Sequence, residues 1–165
     1  MTRKLAAALA VALLLCGCGA TGQQFVAEAN KPEGNRALLY VYRPNTIIGI
    51  GNADVDFLHL DGRRLTRLRI GGYLAIPIAP GRHKLTTTMS MLGSDTGSVR
   101  GATTFDAQAG STIYLRYSER LGAIVPIKGV GAVMTGSTVF EIVPESQALA
   151  ELANTKALEL ISEQP

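Results

Sequence analysis

Two histidines, His59 and His83, are the side chains of this 165-residue chain best suited to proton transfer or metal binding. Neither stands in an H-x-x-x-H or H-x-H spacing, so a zinc site would need carboxylates from distant segments, and no metal is expected. Serine hydrolysis lacks its usual setting too. No serine sits in G-x-S-x-G, and Gly93-Ser94-Asp95 fits a turn better than a nucleophile. His59 and Asp61 flank one turn, which suits a solvent-facing pair. Gly49-Ile50-Gly51 has neither a third glycine nor a following helix to offer backbone N–H groups to a phosphate. The expectation is a protein without catalytic residues and without a cofactor.

The charge feature with a shape is Arg63, Arg64, Arg67 and Arg69. On a strand the period of two sends Arg63, Arg67 and Arg69 to one face with Leu65, and Arg64 to the other with Thr66, Leu68 and Ile70. Such a stripe could meet lipid phosphates or another anionic polymer, because arginine makes bidentate contacts to phosphate. A solvated face, or an edge guarded by charge, is the plainer alternative.

The two cysteines, Cys16 and Cys18, lie at the end of the stretch MTRKLAAALAVALLLCG and just beyond it. Arg3 and Lys4, an apolar run from Leu5 to Leu15 and then small residues form the pattern of a bacterial secretory signal. The run is about half the ~20 residues a spanning helix needs. Leu15-Cys16-Gly17-Cys18 resembles the lipobox of bacterial lipoproteins, which makes Cys18 the expected site of lipidation and places Cys16 in the discarded peptide. A lipidated Cys18 leaves no free thiol, which excludes disulfides, thiolate catalysis and cysteine-bound metals. Removing the first seventeen residues leaves 148 and takes Lys+Arg from 16 to 14 against 13 acids, so the net charge falls from +3 to +1. That balance gives no support to nucleic-acid binding, which wants a strongly basic patch. Acyl chains contribute roughly 0.8 kcal/mol per buried CH₂, so several of them anchor a protein firmly. Gly19 stands where an inner-membrane retention signal would place Asp, which favours the periplasmic face of the outer membrane.

These candidate groups must be carried by the segments that follow. Residues 18–35 are polar and rich in Gly and Ala, with only Phe25 and Val26 as sizeable apolar side chains, and are expected to form a flexible tether. Residues 36–143 are expected to form the domain. RALLYVYR (36–43) alternates Leu39 and Val41 with Leu38, Tyr40 and Tyr42, so both faces of this strand are apolar and it should be central. Between Val55 and Met89, short apolar runs are divided by Asp61-Gly62, Gly71-Gly72 and Pro80-Gly81, which predicts strands joined by tight turns in an antiparallel meander. Residues 91–100 are expected to form a loop, and 102–107 with 111–118 a hairpin. The apolar, Gly-rich 121–136 should close the core as a hairpin turning near Lys128-Gly129. About eight or nine short strands imply a β-sandwich or open barrel. After Pro144 the spacing of Leu149, Ala153, Ala157 and Leu160 predicts an amphipathic helix of about five turns within 144–165.

Tyr40-Val41-Tyr42-Arg43-Pro44, Leu60-Asp61-Gly62, Gly72-Tyr73-Leu74, Pro80-Gly81-Arg82-His83 and Ala109-Gly110 ahead of Tyr114 together resemble the domain of unknown function twenty-eight forty-six. The resemblance spans about residues 36 to 143. It implies small, often lipidated bacterial proteins and brings no catalytic residues with it. The combined expectation is a non-enzymatic, lipid-anchored periplasmic β-sandwich with a C-terminal helix, acting as a binding or envelope-assembly module. Its partners would be membrane lipid through acylated Cys18 and an envelope protein or anionic polymer, with no nucleic acid. The alternative is a small cell-envelope enzyme or accessory subunit using His83 or His59.

Overall fold

The computed structural model describes residues 20–27, 31–45, 56–91, 93–127 and 131–161. The fold is mainly β. Its elements are β1 (Ala37–Arg43), β2 (Asp56–Leu60), β3 (Arg63–Leu68), β4 (Gly72–Ile78), β5 (Gly81–Met91), β6 (Ser94–Ala107), β7 (Thr112–Ile127), β8 (Gly131–Ile142), α1 (Glu145–Leu152) and β9 (Lys156–Ala157). They form a five-stranded sheet, β8-β7-β1-β4-β9, packed on a four-stranded sheet, β3-β2-β5-β6.

β1 explains the layering. Every one of its residues is buried, as two apolar faces require. Ala37, Leu39 and Val41 face the second sheet and join Leu58, Leu68, Leu74, Leu85, Phe105 and Leu115 in the inter-sheet core. Leu38, Tyr40 and Tyr42 point the other way into a second core with Phe25, Tyr73, Tyr114, Ala148 and Leu152. The helix and the amino-terminal segment therefore cover the outer face of the five-stranded sheet.

Connections differ from an antiparallel meander. Asp61-Gly62 does make the β2–β3 hairpin, with both residues at positive φ, 52° and 84°, as a type I′ turn demands. The turns at Gly71 and Pro80-Gly81 instead carry the chain from one sheet to the other, because β4 pairs with β1 and β5 pairs with β2. The expected hairpin at 108–110 is another such crossing: β6 pairs with β5, while β7 runs parallel to β1. Residues 94–100, expected as loop, extend β6. The 121–136 stretch does form the β7–β8 hairpin, and its turn lies outside the described residues.

Both seams between the sheets are closed. At one, the Thr138 hydroxyl of β8 donates to the Arg100 carbonyl of β6 at 2.5 Å. At the other, residues 158–161 run between β4 and β3: Leu158 N–H donates to the Tyr73 carbonyl at 2.8 Å, and Ile161 N–H to the Leu65 carbonyl at 2.7 Å. The Thr66 hydroxyl donates to the Glu159 carbonyl at 2.7 Å.

This use of the carboxyl-terminal residues corrects the long helix. α1 has eight residues, with Pro144 ahead of it and Glu145 in its first turn as the sequence suggests. It stops because Thr155 turns back on it, its N–H reaching the Leu152 carbonyl at 2.8 Å and its hydroxyl the same oxygen at 2.7 Å. Ala157 then pairs with Tyr73 as part of β9, and Leu160 is exposed beside the seam. Residues 20–27 are likewise docked. Phe25 is buried edge-on to Tyr40 and Tyr73, with centroids 5.9 and 5.3 Å away, and Ala157 N–H donates to the Gln23 carbonyl at 2.7 Å.

Candidate functional site

Arg63, Arg67 and Arg69 do not form the predicted three-arginine stripe, and Arg64 does not take the opposite face from Arg67. β3 leaves strict alternation where the β2–β3 register shifts between Leu58 and His59. A β-bulge changes which residues share a face. Leu65 and Leu68 consequently enter the core, and Arg64 and Arg67 both lie over the Phe57 ring, 5.3 and 5.0 Å from its centroid. Arg67 also donates to the Gly93 carbonyl. Arg69 falls past the end of β3.

The predicted anion-binding residues are thereby divided between two clefts along the β3 seam. Arg67 and Arg69 line one of ≈ 500 Å³, whose other walls are Ala20–Gly22 and the 157–161 segment. Arg63 lines the other, ≈ 650 Å³, with Arg36, Arg64 and an apolar floor. Leu160 and Ile161 belong to both and form the wall between them. Ala20 is fixed at the first cleft by donating its N–H to the Ile70 carbonyl at 3.2 Å. Cys18 lies outside the described residues.

His83 is part of a clasp. Its Nδ1 is 2.7 Å from Asp61 Oδ2 and its Nε2 is 2.8 Å from the Ala79 carbonyl oxygen. The second Asp61 oxygen accepts Lys84 N–H at 2.8 Å. Burial alone would lower the His83 pKa, but the Asp61 carboxylate and the Ala79 carbonyl outweigh it and raise it. For Asp61 the upward effect of burial is outweighed by the Lys84 N–H and His83, and its pKa is lowered. With both ring nitrogens facing acceptors, His83 ties the β2–β3 hairpin to the β4–β5 crossing as an imidazolium.

His59 is placed differently. Its Nε2 lies 2.9 Å from Thr88 Oγ1 and 3.1 Å from Asp95 Oδ2. A hydrolytic relay needs the hydroxyl and the acid on opposite ring nitrogens, and here one nitrogen meets both. Asp95 is held low in pKa: burial pushes it up, and the Thr88 hydroxyl, the Gly97 N–H, His59 and Arg64 outweigh that. Among the described residues, no group of three His, Cys, Asp or Glu side chains could hold a metal ion.

Sequence reading missed a buried polar network between the sheets. Asp56 is fully buried and accepts the Tyr117 hydroxyl, with Arg100 Nη1 3.4 Å away. Arg43 lies over the Tyr117 ring, 5.6 Å from its centroid, and donates to Glu119 Oε1 at 3.0 Å and to the Leu68 carbonyl at 3.3 Å. Burial pushes the Asp56 carboxyl up, against the pull of Tyr117 and the arginines, and pushes the Tyr117 hydroxyl well above its ordinary range. A second network holds α1: Tyr42 and Arg116 donate to Glu151 at 2.8 and 2.7 Å, and Arg116 also to Glu141 at 2.5 Å. The only sequence signal for either network was charge on strands otherwise apolar, which names no partner.

No curated protein and no solved structure matches the chain. A family model does, over residues 33–133, from just before β1 into β8, leaving the docked amino-terminal segment and α1 outside the match. That stretch holds the β1 strand, the Asp61-Gly62 hairpin, the Pro80-Gly81 crossing and the arginine-bearing edge, and the chain belongs to the family described as protein of unknown function (DUF2846).

Proposed function

We propose that this protein is a lipid-anchored binding or envelope-assembly module on the periplasmic face of the outer membrane, held with its β3 edge against the lipid headgroups. The observation that carries this is the docking of Ala20 onto Ile70 beside Arg67 and Arg69. Cys18 precedes Ala20 by two residues, and two residues of chain reach at most about 7 Å. An acylated Cys18 would thus enter the bilayer next to these arginines, without the long tether that the composition of residues 18–35 suggests. Lipid phosphates are the anions nearest to hand there. Each arginine close to an anionic surface contributes about 1 kcal/mol, so the pair would hold the domain flat as well as tethered. Gly19 in place of Asp supports the outer membrane. No catalytic role is assigned to His59 or His83, since each is committed to contacts that leave the proton-relay geometry incomplete.

The test is metabolic labelling with a palmitate analogue, followed by membrane fractionation, in cells carrying wild type or Cys18→Ala. Labelling and outer-membrane sedimentation should vanish together in Cys18→Ala; an unlabelled wild type overturns the anchor. The Cys18→Ala protein, mixed with phosphatidylglycerol vesicles, isolates the arginines. Arg67→Glu with Arg69→Glu should weaken its binding by at least about 30-fold, the equivalent of ~2 kcal/mol. Unchanged binding overturns the orientation and leaves the anchor standing.

A further inference from the structure

The β7–β8 hairpin outruns the sheet it belongs to. β7 lies parallel to β1 and pairs with it only as far as Arg116, so it leaves the sheet at the Arg43 end. From Tyr117 onward, β7 and β8 have no ladder partner but each other among the described residues. Glu119 still meets Arg43 at 3.0 Å, and Thr138 still meets Arg100. Past these ties the arm runs from Arg120 to Ile127, about 26 Å at ~3.3 Å per residue, and returns from Gly131. Its sequence is apolar on both faces. Ile124 and Pro126 pair with Met134 and Ala132, while Val125 and Ile127 pair with Val133 and Gly131, and the period of two assigns the two sets to opposite faces. Lys128 is the only charge between Arg120 and Glu141. A ribbon with one face on a core and the other in water alternates apolar with polar residues, and this one does not. Even laid against the protein it would leave one apolar face to another medium.

The end from which the arm departs is also the end that holds the amino-terminal segment. Arg43 pairs with Gly72, and Ala20 N–H donates to the nearby Ile70 carbonyl at 3.2 Å. β7 stands two strands from β4, a separation of about 10 Å. We propose that the β7–β8 arm is a second membrane contact, residues 121–127 and 131–136 lying in the headgroup boundary of the bilayer that holds acylated Cys18. Apolar positions withdrawn from water supply the affinity, and Lys128 suits a surface of lipid phosphates. A two-stranded ribbon has unpaired backbone groups along both edges, which hydrocarbon does not tolerate, so the arm rests at the boundary and does not span. Which bilayer the arm meets rests on the anchoring proposed above; its affinity for lipid does not.

The chain has no tryptophan, so a single one introduced reports its own surroundings. Val125→Trp places it on the arm. Gln108→Trp places it at an exposed position near the other end of β1, where Gly110 N–H donates to the Arg36 carbonyl. Both are made in the Cys18→Ala protein and mixed with phosphatidylglycerol vesicles whose acyl chains carry bromine near the headgroup. Emission from Val125→Trp should move to the blue and be quenched, and emission from Gln108→Trp should do neither. Val125→Asp with Ile127→Asp should lower vesicle partitioning about 100-fold, since each apolar side chain withdrawn from water is worth a factor of ten or more. The tryptophan variants keep the test independent of whether that charged variant folds. An unquenched Val125→Trp overturns the membrane contact, whether or not the protein sediments with the vesicles. Self-association of the vesicle-free protein that is lost in Val125→Asp with Ile127→Asp, together with an unquenched Val125→Trp, assigns the arm to a second copy and overturns the proposal as well. Failure of wild type to take up the palmitate label would remove the anchor and leave the quenching standing, so the two readings fail separately.

Discussion

Replacing His83 by glutamine should remove the part of the pH dependence of stability that the imidazolium contributes. Glutamine keeps part of the packing near Phe105, whose ring is 5.7 Å from the imidazole, but cannot carry a proton charge. In the wild type the imidazolium donates to Asp61 at 2.7 Å and to the Ala79 carbonyl at 2.8 Å. Hydrogen bonds to charged groups are worth about 1.5–3 kcal/mol. The Asp61 side chain is 50% exposed, so solvent screening reduces the expected difference to about 1 kcal/mol. For a chain of this size that is roughly 2–4 °C in melting temperature. The sign follows from the direction of each shift. His83 has a folded pKa above its ordinary 6.5, so its contribution is complete below that pH and fades as pH rises through the raised value. Asp61 has a folded pKa below its ordinary 3.8, so its contribution is complete above that pH and fades as pH falls through the lowered value. Thermal unfolding of wild type and His83→Gln across a pH series should show a plateau of difference between these two ordinary values and a decline toward alkaline pH. Asp61→Asn, which tolerates the positive φ of 52°, should erase the same dependence. A difference that stays level into alkaline solution, or grows there, refutes an imidazolium clasp.

Three further outcomes are expected. Leu39→Ala, at a position with no exposure between the sheets, should lose about 2–5 kcal/mol in urea denaturation, whereas the same truncation at the exposed Val26 should be nearly silent. Gly22→Ala places a Cβ 2.1 Å from the Ala157 carbonyl oxygen, so the two backbones must part; stability should fall by about 1–3 kcal/mol, and limited proteolysis within residues 20–27 should accelerate. Tyr42→Phe removes the bond to Glu151 at 2.8 Å and should cost about 1–2 kcal/mol, seen as a lower urea midpoint with an unchanged slope.

Strand content and the central place of β1 were legible because alternation acts at every residue of a strand: Leu39 and Val41 against Leu38, Tyr40 and Tyr42 needed no knowledge of partners. Asp61-Gly62 was legible because its two positive φ values make a local demand. What Gly71 and Pro80-Gly81 connect was not, since the same turn chemistry serves a hairpin and a crossing between sheets, and long-range pairing decides between them. The bulge between Leu58 and His59 has no local signature, and across it Arg64 comes to share the Phe57 ring with Arg67, while Leu160 and Ile161, far along the chain, part Arg63 from Arg67. The helix ran too far for the same reason. Ala157 and Leu160 keep the helical spacing, but pairing of β9 with β4 and capping by Thr155 place them elsewhere. Phe25 was read as part of a tether because one aromatic in a polar stretch says nothing of the tyrosines waiting for it on other strands.

The two ends of the described chain lie side by side, and this imposes an order in time. Gln24 donates to the carbonyl of Ala153, 129 positions later, and Phe25 N–H donates to that of Thr155. A chain is synthesised from its amino end, so the stretch from Ala20 to Ala27 exists long before the residues that receive it, and contacts this distant in sequence close slowly. Until residues 153–157 have been made, Gln23, Gln24 and Phe25 lack the backbone groups they bond to, so the domain closes over this early stretch only after nearly all of its strands exist.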